Sequence, residues 1–264
     1  MQTKVPLRVR LAIRSDRWFK LAMSGLRATH QGFWLGMLDS THLAAANVAA
    51  YAGWERFSDD DYNRSGLTDW ELTAVEHHFA PGSSVLVPSA GGGREILALE
   101  ALGFRAVGFD PCPELVDAGR KLLAETGDRD RLVLSPADGL PNGLRERFDS
   151  ILFGWTGYAH IQSRDARVAI LADLQTMVDP GAPMILSFFL RSPGDRTFPT
   201  TRKLAAAIRT ARRSEEPVQL GDTVAGTFDH FFTWDEIETE LADAGFTVVA
   251  RVSGPDPHLV ARAG

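Results

Sequence analysis

The sequence predicts an α/β protein: a doubly wound, mostly parallel seven-stranded sheet with one antiparallel strand near its edge, preceded by an N-terminal helical cap. Three observations predict it. After Pro81, short runs that are apolar throughout alternate with helical stretches, the pattern of strands buried on both faces of a parallel sheet. Before Pro81 there is no alternating β pattern, so that third reads as helix. At the end, two strand-like runs are joined by too few residues for a parallel crossover, so they must be antiparallel neighbours. The expected boundaries are 1-80 for the cap and 81-264 for the sheet domain, with an insertion at 191-229.

Along the chain, 33–79 is helical in pattern, interrupted by the turn formers Asp59-Asp60-Asp61-Tyr62-Asn63-Arg64-Ser65-Gly66. A helix restarts near Thr68 or Asp69, and Pro81-Gly82 ends it. Strands are then expected at 84–87, 105–109, 132–134, 149–153 and 184–189. Helices at 94–102, 113–125 and 164–178 separate them, and right-handed crossovers make such a sheet doubly wound. An amphipathic helix at 234–244 precedes the last two strands, 246–252 and 259–262.

The chain has 264 residues, 44% hydrophobic and 23% charged, as folded globular chains have. Its one cysteine, Cys112, excludes an internal disulfide, and with no zinc-type spacing no metal is expected. No apolar run reaches the roughly 18 residues that cross a bilayer, so a cytoplasmic location without a membrane partner is expected. The net charge of −6 argues against a general nucleic-acid binder. Up to Gln31, seven basic residues face one acid, Asp16, so this start carries +6 and the remainder −12. Trp18, Phe19, Leu21, Met23 and Leu26 read as the apolar stripe of a docked helix rather than part of a transit peptide.

The segment Val85-Leu86-Val87-Pro88-Ser89-Ala90-Gly91-Gly92-Gly93-Arg94-Glu95 takes a buried strand into a glycine turn and a helix N-terminus. Small residues there let a ligand touch the backbone, and unpaired N–H groups favour a polar or anionic group. Asp110 ends the next strand beside that turn, where a carboxylate accepts both hydroxyls of a ribose. A dinucleotide fingerprint with Gly91 and Gly93 as its first glycines would need its third at Ile96, which argues against a nicotinamide cofactor.

Ser89-Ala90-Gly91-Gly92-Gly93 resembles the G-x-G-x-G turn of class I S-adenosylmethionine-dependent methyltransferases. Asp110 matches the acid of their second strand, and Ala137-Asp138-Gly139 the acidic loop after their third. The stretch 147–155, through Gly154 and Trp155, resembles their fourth strand and its loop, and the terminal helix and hairpin follow in the same order. The resemblance covers roughly 81–264. It implies a Rossmann-like methyltransferase fold that binds S-adenosyl-L-methionine through Ser89, Ala90, Gly91, Gly93, Asp110, Pro111, Asp138, Gly139, Gly154 and Trp155. Two positions depart from it: Ser89 replaces the first glycine, and Val87 stands where many members carry an acid for the cofactor's amino-acid end. Tyr62, Ser65 and Trp70 are candidates to supply that contact from the cap.

The implied reaction is direct in-line methyl transfer to a small-molecule acceptor, governed by positioning, with no metal. A base is needed where the acceptor is bound protonated. His160 is the first candidate and His230 the second, with Tyr158 beside the acceptor. The 191-229 insertion is too long for an ordinary loop and is expected to cover the substrate. Its arginines either recognise an acceptor anion or form a solvated helix face. An RNA methyltransferase, a nicotinamide-dependent oxidoreductase and a non-catalytic cofactor-binding protein are the alternatives, and a homodimer is compatible with the sequence.

Overall fold

Successive residues of the first strand enter two different cores: Val85 and Val87 join one apolar cluster, and Leu86 the other. The same alternation holds at Leu152 against Ile151 and Phe153, and at Ile185 against Met184 and Leu186. Both sheet faces are covered, which is why these strands are apolar throughout. The computed structural model describes residues 6–127 and 129–264. Lys4, counted in the basic start, lies outside them.

The helical third contains α1 (Leu7–Met37), α2 (Ser40–Gly53), two single-turn helices α3 (Glu55–Ser58) and α4 (Asp60–Asn63), and α5 (Asp69–His78). There follow β1 (Ser84–Pro88), α6 (Arg94–Ala101), β2 (Arg105–Asp110), α7 (Pro113–Thr126), β3 (Leu132–Leu134), β4 (Ser150–Phe153), α8 (Arg164–Thr176) and β5 (Pro183–Ser187). The last part holds β6 (Phe189–Leu190), α9 (Thr197–Ala211), β7 (Asp222–Val224), β8 (Phe228–Phe232), α10 (Trp234–Asp243), β9 (Phe246–Val252) and β10 (His258–Ala263).

The main sheet has the order β3-β2-β1-β4-β5-β10-β9. Only β10 is reversed: it runs antiparallel to β5 on one side and to β9 on the other. The chain therefore switches direction at β1, between β2 and β4, and the crevice at the strands' C-terminal ends opens there.

The strand expected at 184–189 divides after Ser187. β5 stays in the main sheet, while β6 pairs with β8 in a second sheet of order β6-β8-β7. The insertion is thus a lobe with its own sheet, and α9 lies along α1. Gly32 and Gly36 allow that approach: a Cβ on Gly32 would stand 2.7 Å from the Thr201 carbonyl oxygen, and one on Gly36 2.7 Å from Ile208 Cβ. Arg209 and Arg212, candidates for anion recognition, instead donate to the carbonyls of Leu35, Gly36, Met37 and Leu38 at the end of α1. Those carbonyls lack helical partners, and a cation suits that end of the helix dipole. Asn47 ties α2 to β8 through both its amide atoms, accepting from Phe228 N–H at 2.7 Å and donating to Phe228 O at 3.4 Å.

Candidate active site

β1 ends at the topological switch, and the backbone turns sharply through Ser89, Gly91 and Gly93 at φ of 54°, 53° and 86°. These left-handed values suit glycine, so Ser89 is the costly member. Gly92 is required for a different reason. A Cβ there would lie 2.5 Å from both the Phe57 carbonyl oxygen and Asn63 Nδ2, because the α3–α4 segment sits directly on the turn. The close helix–strand packing that a dinucleotide fingerprint gets from its third glycine comes here from Gly108, whose missing Cβ would stand 2.8 Å from Ile96 Cδ1.

Asp110 at the tip of β2 is almost fully buried. Its two oxygens accept from the N–H groups of Gly91 and Cys112, each at 2.8 Å. Burial raises its pKa to about 6, against the lowering effect of those two N–H groups. Cys112 beside it is buried as well, which pushes its thiol up to about 11 and leaves it unreactive.

These groups border a cavity of about 110 Å³. Ser89, Ala90, Gly91, Asp110 and Pro111 line its floor, and Gly139 with Ser135 and Ala137 one side. Trp155, His160 and Tyr62 complete the expected residues that reach it. Tyr51 and Phe57 close it from α2 and α3, with ring centroids 5.3 Å apart. Trp155 and Thr156 have φ of 45° and 55°, and Thr156 N–H donates to Ser187 Oγ at 2.8 Å. Such strained pairs persist where surrounding structure fixes them, as around a binding site.

Five of the expected cofactor and catalytic residues, and the cap candidates Ser65 and Trp70, lie elsewhere. Gly93 is behind the turn, facing Leu123 and Leu132, and Gly154 faces the carboxylates of Glu71 and Glu95. Asp138 is exposed, although its neighbours Ala137 and Gly139 line the cavity. Tyr158 is fully buried and donates to Glu240 at 2.7 Å, so it does not face an acceptor. His230 is 2.7 Å from Asp222 and opens with Arg167 and Glu240 on a separate cavity. Nor does the insertion cover the cavity: among the described residues, none of those lining it comes from 191-229. Trp70 packs on His258, with ring centroids 4.5 Å apart.

His160 joins a chain of polar groups. Its Nε2 lies 2.7 Å from the Tyr51 hydroxyl. Its Nδ1 donates to the Phe228 carbonyl at 3.1 Å and lies 3.0 Å from Asp229 Oδ1. Asp229 Oδ1 lies off the N–H direction and is an ion-pair neighbour rather than a hydrogen-bond acceptor. Burial works to lower the His160 pKa, but Asp229 and the Phe228 carbonyl outweigh it and raise it above the usual value. Burial and the charges of Asp229 and Asp110 hold the Tyr51 hydroxyl well above its ordinary pKa, so Tyr51 keeps its proton.

A second polar group lies at the other end. Arg94 donates to both oxygens of Glu71 at 2.9 and 2.7 Å and to Glu95 at 2.6 Å, all three buried. Two carboxylates thus share one guanidinium, and burial raises Glu95 to about 7. Arg94 and Glu95 line the cavity beside Tyr62. The Tyr62 hydroxyl and Arg94 Nε are buried without a hydrogen-bond partner among the described residues. Neither this group nor Tyr51 or Asp229 was singled out from the sequence; Arg94 and Glu95 directly follow the glycine turn, which was their available signal.

No protein-family model matches the chain, and no curated protein matches it in sequence. Solved structures do. A 1,6-didemethyltoxoflavin-N1-methyltransferase from Burkholderia thailandensis, with 1,6-didemethyltoxoflavin and S-adenosylhomocysteine bound, has a TM-score of 0.59 and 21% identity over 86% of this chain and 91% of its own. A SAM-dependent methyltransferase from Methanosarcina mazei gives 0.55 and 16% over 75% and 98%. An amino pentose methyltransferase from Micromonospora echinaspora, involved in calicheamicin biosynthesis, gives 0.53 and 17% over 77% and 94%. The fold is the Rossmann-like fold of these S-adenosylmethionine-dependent methyltransferases.

Proposed function

We propose that the chain is an S-adenosylmethionine-dependent methyltransferase acting on a small-molecule acceptor. The observation that carries this reading is Asp110: a buried carboxylate at the end of β2, held by the glycine-turn amide of Gly91 and lining the cavity. That arrangement suits two ribose hydroxyls.

The residues present fit the rest of the cofactor. The loop from Ser135 to Gly139 gives the adenine a small-residue wall. At the other end, Glu71 and Glu95 share one positive partner, so the cluster favours an added ammonium, and the unpartnered Tyr62 hydroxyl is available beside it. This group stands in for the acid absent at Val87. When bound, S-adenosylmethionine supplies a methyl carbon activated by its sulfonium and open to in-line attack.

Tyr51 and His160 serve the acceptor. Tyr51 takes the proton leaving the acceptor as its own passes to His160 Nε2, and Asp229 stabilises the imidazolium that forms. Phe57, packed on Tyr51, Tyr62 and Trp155, screens the space between the two polar groups from water. Because α2–α4 and their aromatic side chains roof the cavity, a small molecule suits it better than a folded RNA.

Isothermal calorimetry with S-adenosylmethionine and S-adenosylhomocysteine tests the reading. One site per chain is expected, lost in Asp110→Ala; no heat with either compound, or unchanged affinity in the variant, would reject it.

A further inference from the structure

The first two thirds of α1 touch almost nothing. Among the described residues, none from 7 to 27 is buried, and packing against the body begins at Ser24, whose hydroxyl meets that of Thr197 at 3.1 Å. About 25 Å of helix therefore stands clear at 1.5 Å per residue. Helices in proteins draw most of their stability from packing of an apolar face, and this stretch packs on nothing in the single chain. Large apolar side chains are exposed along it, Trp18, Phe19 and Leu26 by roughly two thirds (65%, 66% and 63%).

At 100° per residue, Leu7, Leu11, Trp18, Leu26, Phe33 and Met37 fall on one stripe. All six are exposed. At the same spacing the face that docks on α9, through Ala28, Gly32, Leu35 and Gly36, is centred about 90° from the middle of this stripe and borders it on the Leu7 side. The stripe is also a palindrome. Leu7 and Met37, Leu11 and Phe33, and Trp18 and Leu26 are each symmetric about Ala22, which lies on the same stripe and is itself exposed.

We propose that the occupant of this stripe is a second copy of the chain, whose α1 packs antiparallel on the first with the two-fold axis at Ala22. In that register Trp18 meets the other copy's Leu26, Leu11 its Phe33 and Leu7 its Met37, and the small Ala22 sits where the helices cross. A two-fold interface needs a self-complementary patch of this kind.

Charge selects the orientation. Arg8, Arg10, Arg14, Arg17, Lys20 and Arg27, against Asp16, all lie in the projecting part, while 28–37 carries no Asp, Glu, Lys or Arg. Antiparallel pairing sets Arg8, Arg10 and Arg14 beside the uncharged 30–36 of the other helix and leaves Arg17, Lys20 and Arg27 on the outer faces, whereas parallel pairing would bring all the basic residues of both helices level. Antiparallel dipoles act in the same direction. With α1 at +5 in a chain of net −6, the remainder stands at −11. An anionic membrane would attract the helix but repel the body, whereas the pairing brings each basic part toward the acidic body of the other copy. A helix pair about 46 Å long, with bulky side chains on its seam, covers area of the order of a standard interface, about 800 Å² per partner.

Light scattering on the full chain tests this. A mass of twice 28.9 kDa is expected at micromolar concentration, unchanged in 1 M salt because the seam is apolar. Leu11→Glu with Trp18→Glu should weaken association at least about 100-fold with the helix content by circular dichroism retained, since both side chains are exposed in the single chain. Ala22→Cys should form an interchain disulfide under mild oxidation, and Lys20→Cys, on the other face, should not. A monomer at 100 µM would overturn the proposal. So would equal cross-linking at both positions, or association only with anionic vesicles and reversed by salt.

Discussion

The Cβ that Gly157 lacks would stand 2.5 Å from Ser89 Cβ and 2.6 Å from Ser89 Oγ. Ser89 occupies the first position of the glycine turn with φ of 54°, so the loop after β4 must leave room for a side chain where a glycine would need none. The two positions are coupled. Gly157→Ala should destabilise by about 1–3 kcal/mol, the usual effect of overpacking. Ser89→Gly relieves about 1 kcal/mol of left-handed strain, and in that background Gly157→Ala should lose most of its effect. A double-mutant cycle by urea denaturation measures the coupling; additive effects would mean the loops relax independently.

Asp110 predicts how binding responds to acid. Its pKa of about 6 without ligand means that below that value the carboxyl holds a proton and loses acceptor capacity. Nucleoside affinity should therefore be flat from pH 7 to 8 and weaken about tenfold per unit well below 6. Asp110→Asn should be weak at every pH, because its amide N–H₂ would face a backbone N–H now paired with oxygen. Calorimetric titrations of both proteins between pH 5 and 8 check the two curves.

What the sequence made legible follows from local geometry. The glycine turn, Asp110 and the reversed β10 show because each is written in consecutive residues: an apolar run into glycines, an acid at a strand tip, two strands with a short link. Two candidate side chains, Tyr158 and His230, point away from the cavity for reasons of period. In the single 3₁₀ turn from Gly157 to His160, residues two apart point about 240° apart, so His160 reaches the cavity while Tyr158 enters the core. Along β8, adjacent residues face opposite sides, so Asp229 meets His160 and His230 does not. Tyr51 and Glu71 had no such local signal, since they join the site through packing between distant segments. Gly32 and Gly36 likewise acquire meaning only against α9.

The Tyr51–His160–Asp229 chain predicts a pH profile for turnover. His160 must be neutral to accept a proton, and its pKa is raised, so kcat should climb through the neutral range and level off in mild alkali. Asp229→Asn removes a raising influence, which should move the rise to lower pH while lowering the plateau about 10–100-fold. Stability carries the opposite sign: a His pKa raised by folding contributes below about 6.5 and is lost as pH rises through the folded value. Urea midpoints should fall across that window in the parent and fall less in Asp229→Asn. A variant with an unshifted profile would remove Asp229 from this role.

Arg94 holds two buried carboxylates, so its removal tests how the cap is fastened to the turn. Arg94→Met would leave Glu71 and Glu95 buried without a cation, and about 3–5 kcal/mol of destabilisation is expected. The loss should depend on pH. Glu95, raised to about 7, binds its proton more tightly in the folded state, so stability falls as pH rises from about 4.5 to about 7. Without the guanidinium that window should extend further upward. Adding Glu95→Gln to Arg94→Met removes one stranded charge and should recover part of the stability at pH 8 and little at pH 5. Denaturation of the three proteins at both pH values decides it. Equal losses at pH 5 and 8 would show that Arg94 acts through packing and its bond to the Gly66 carbonyl rather than through charge.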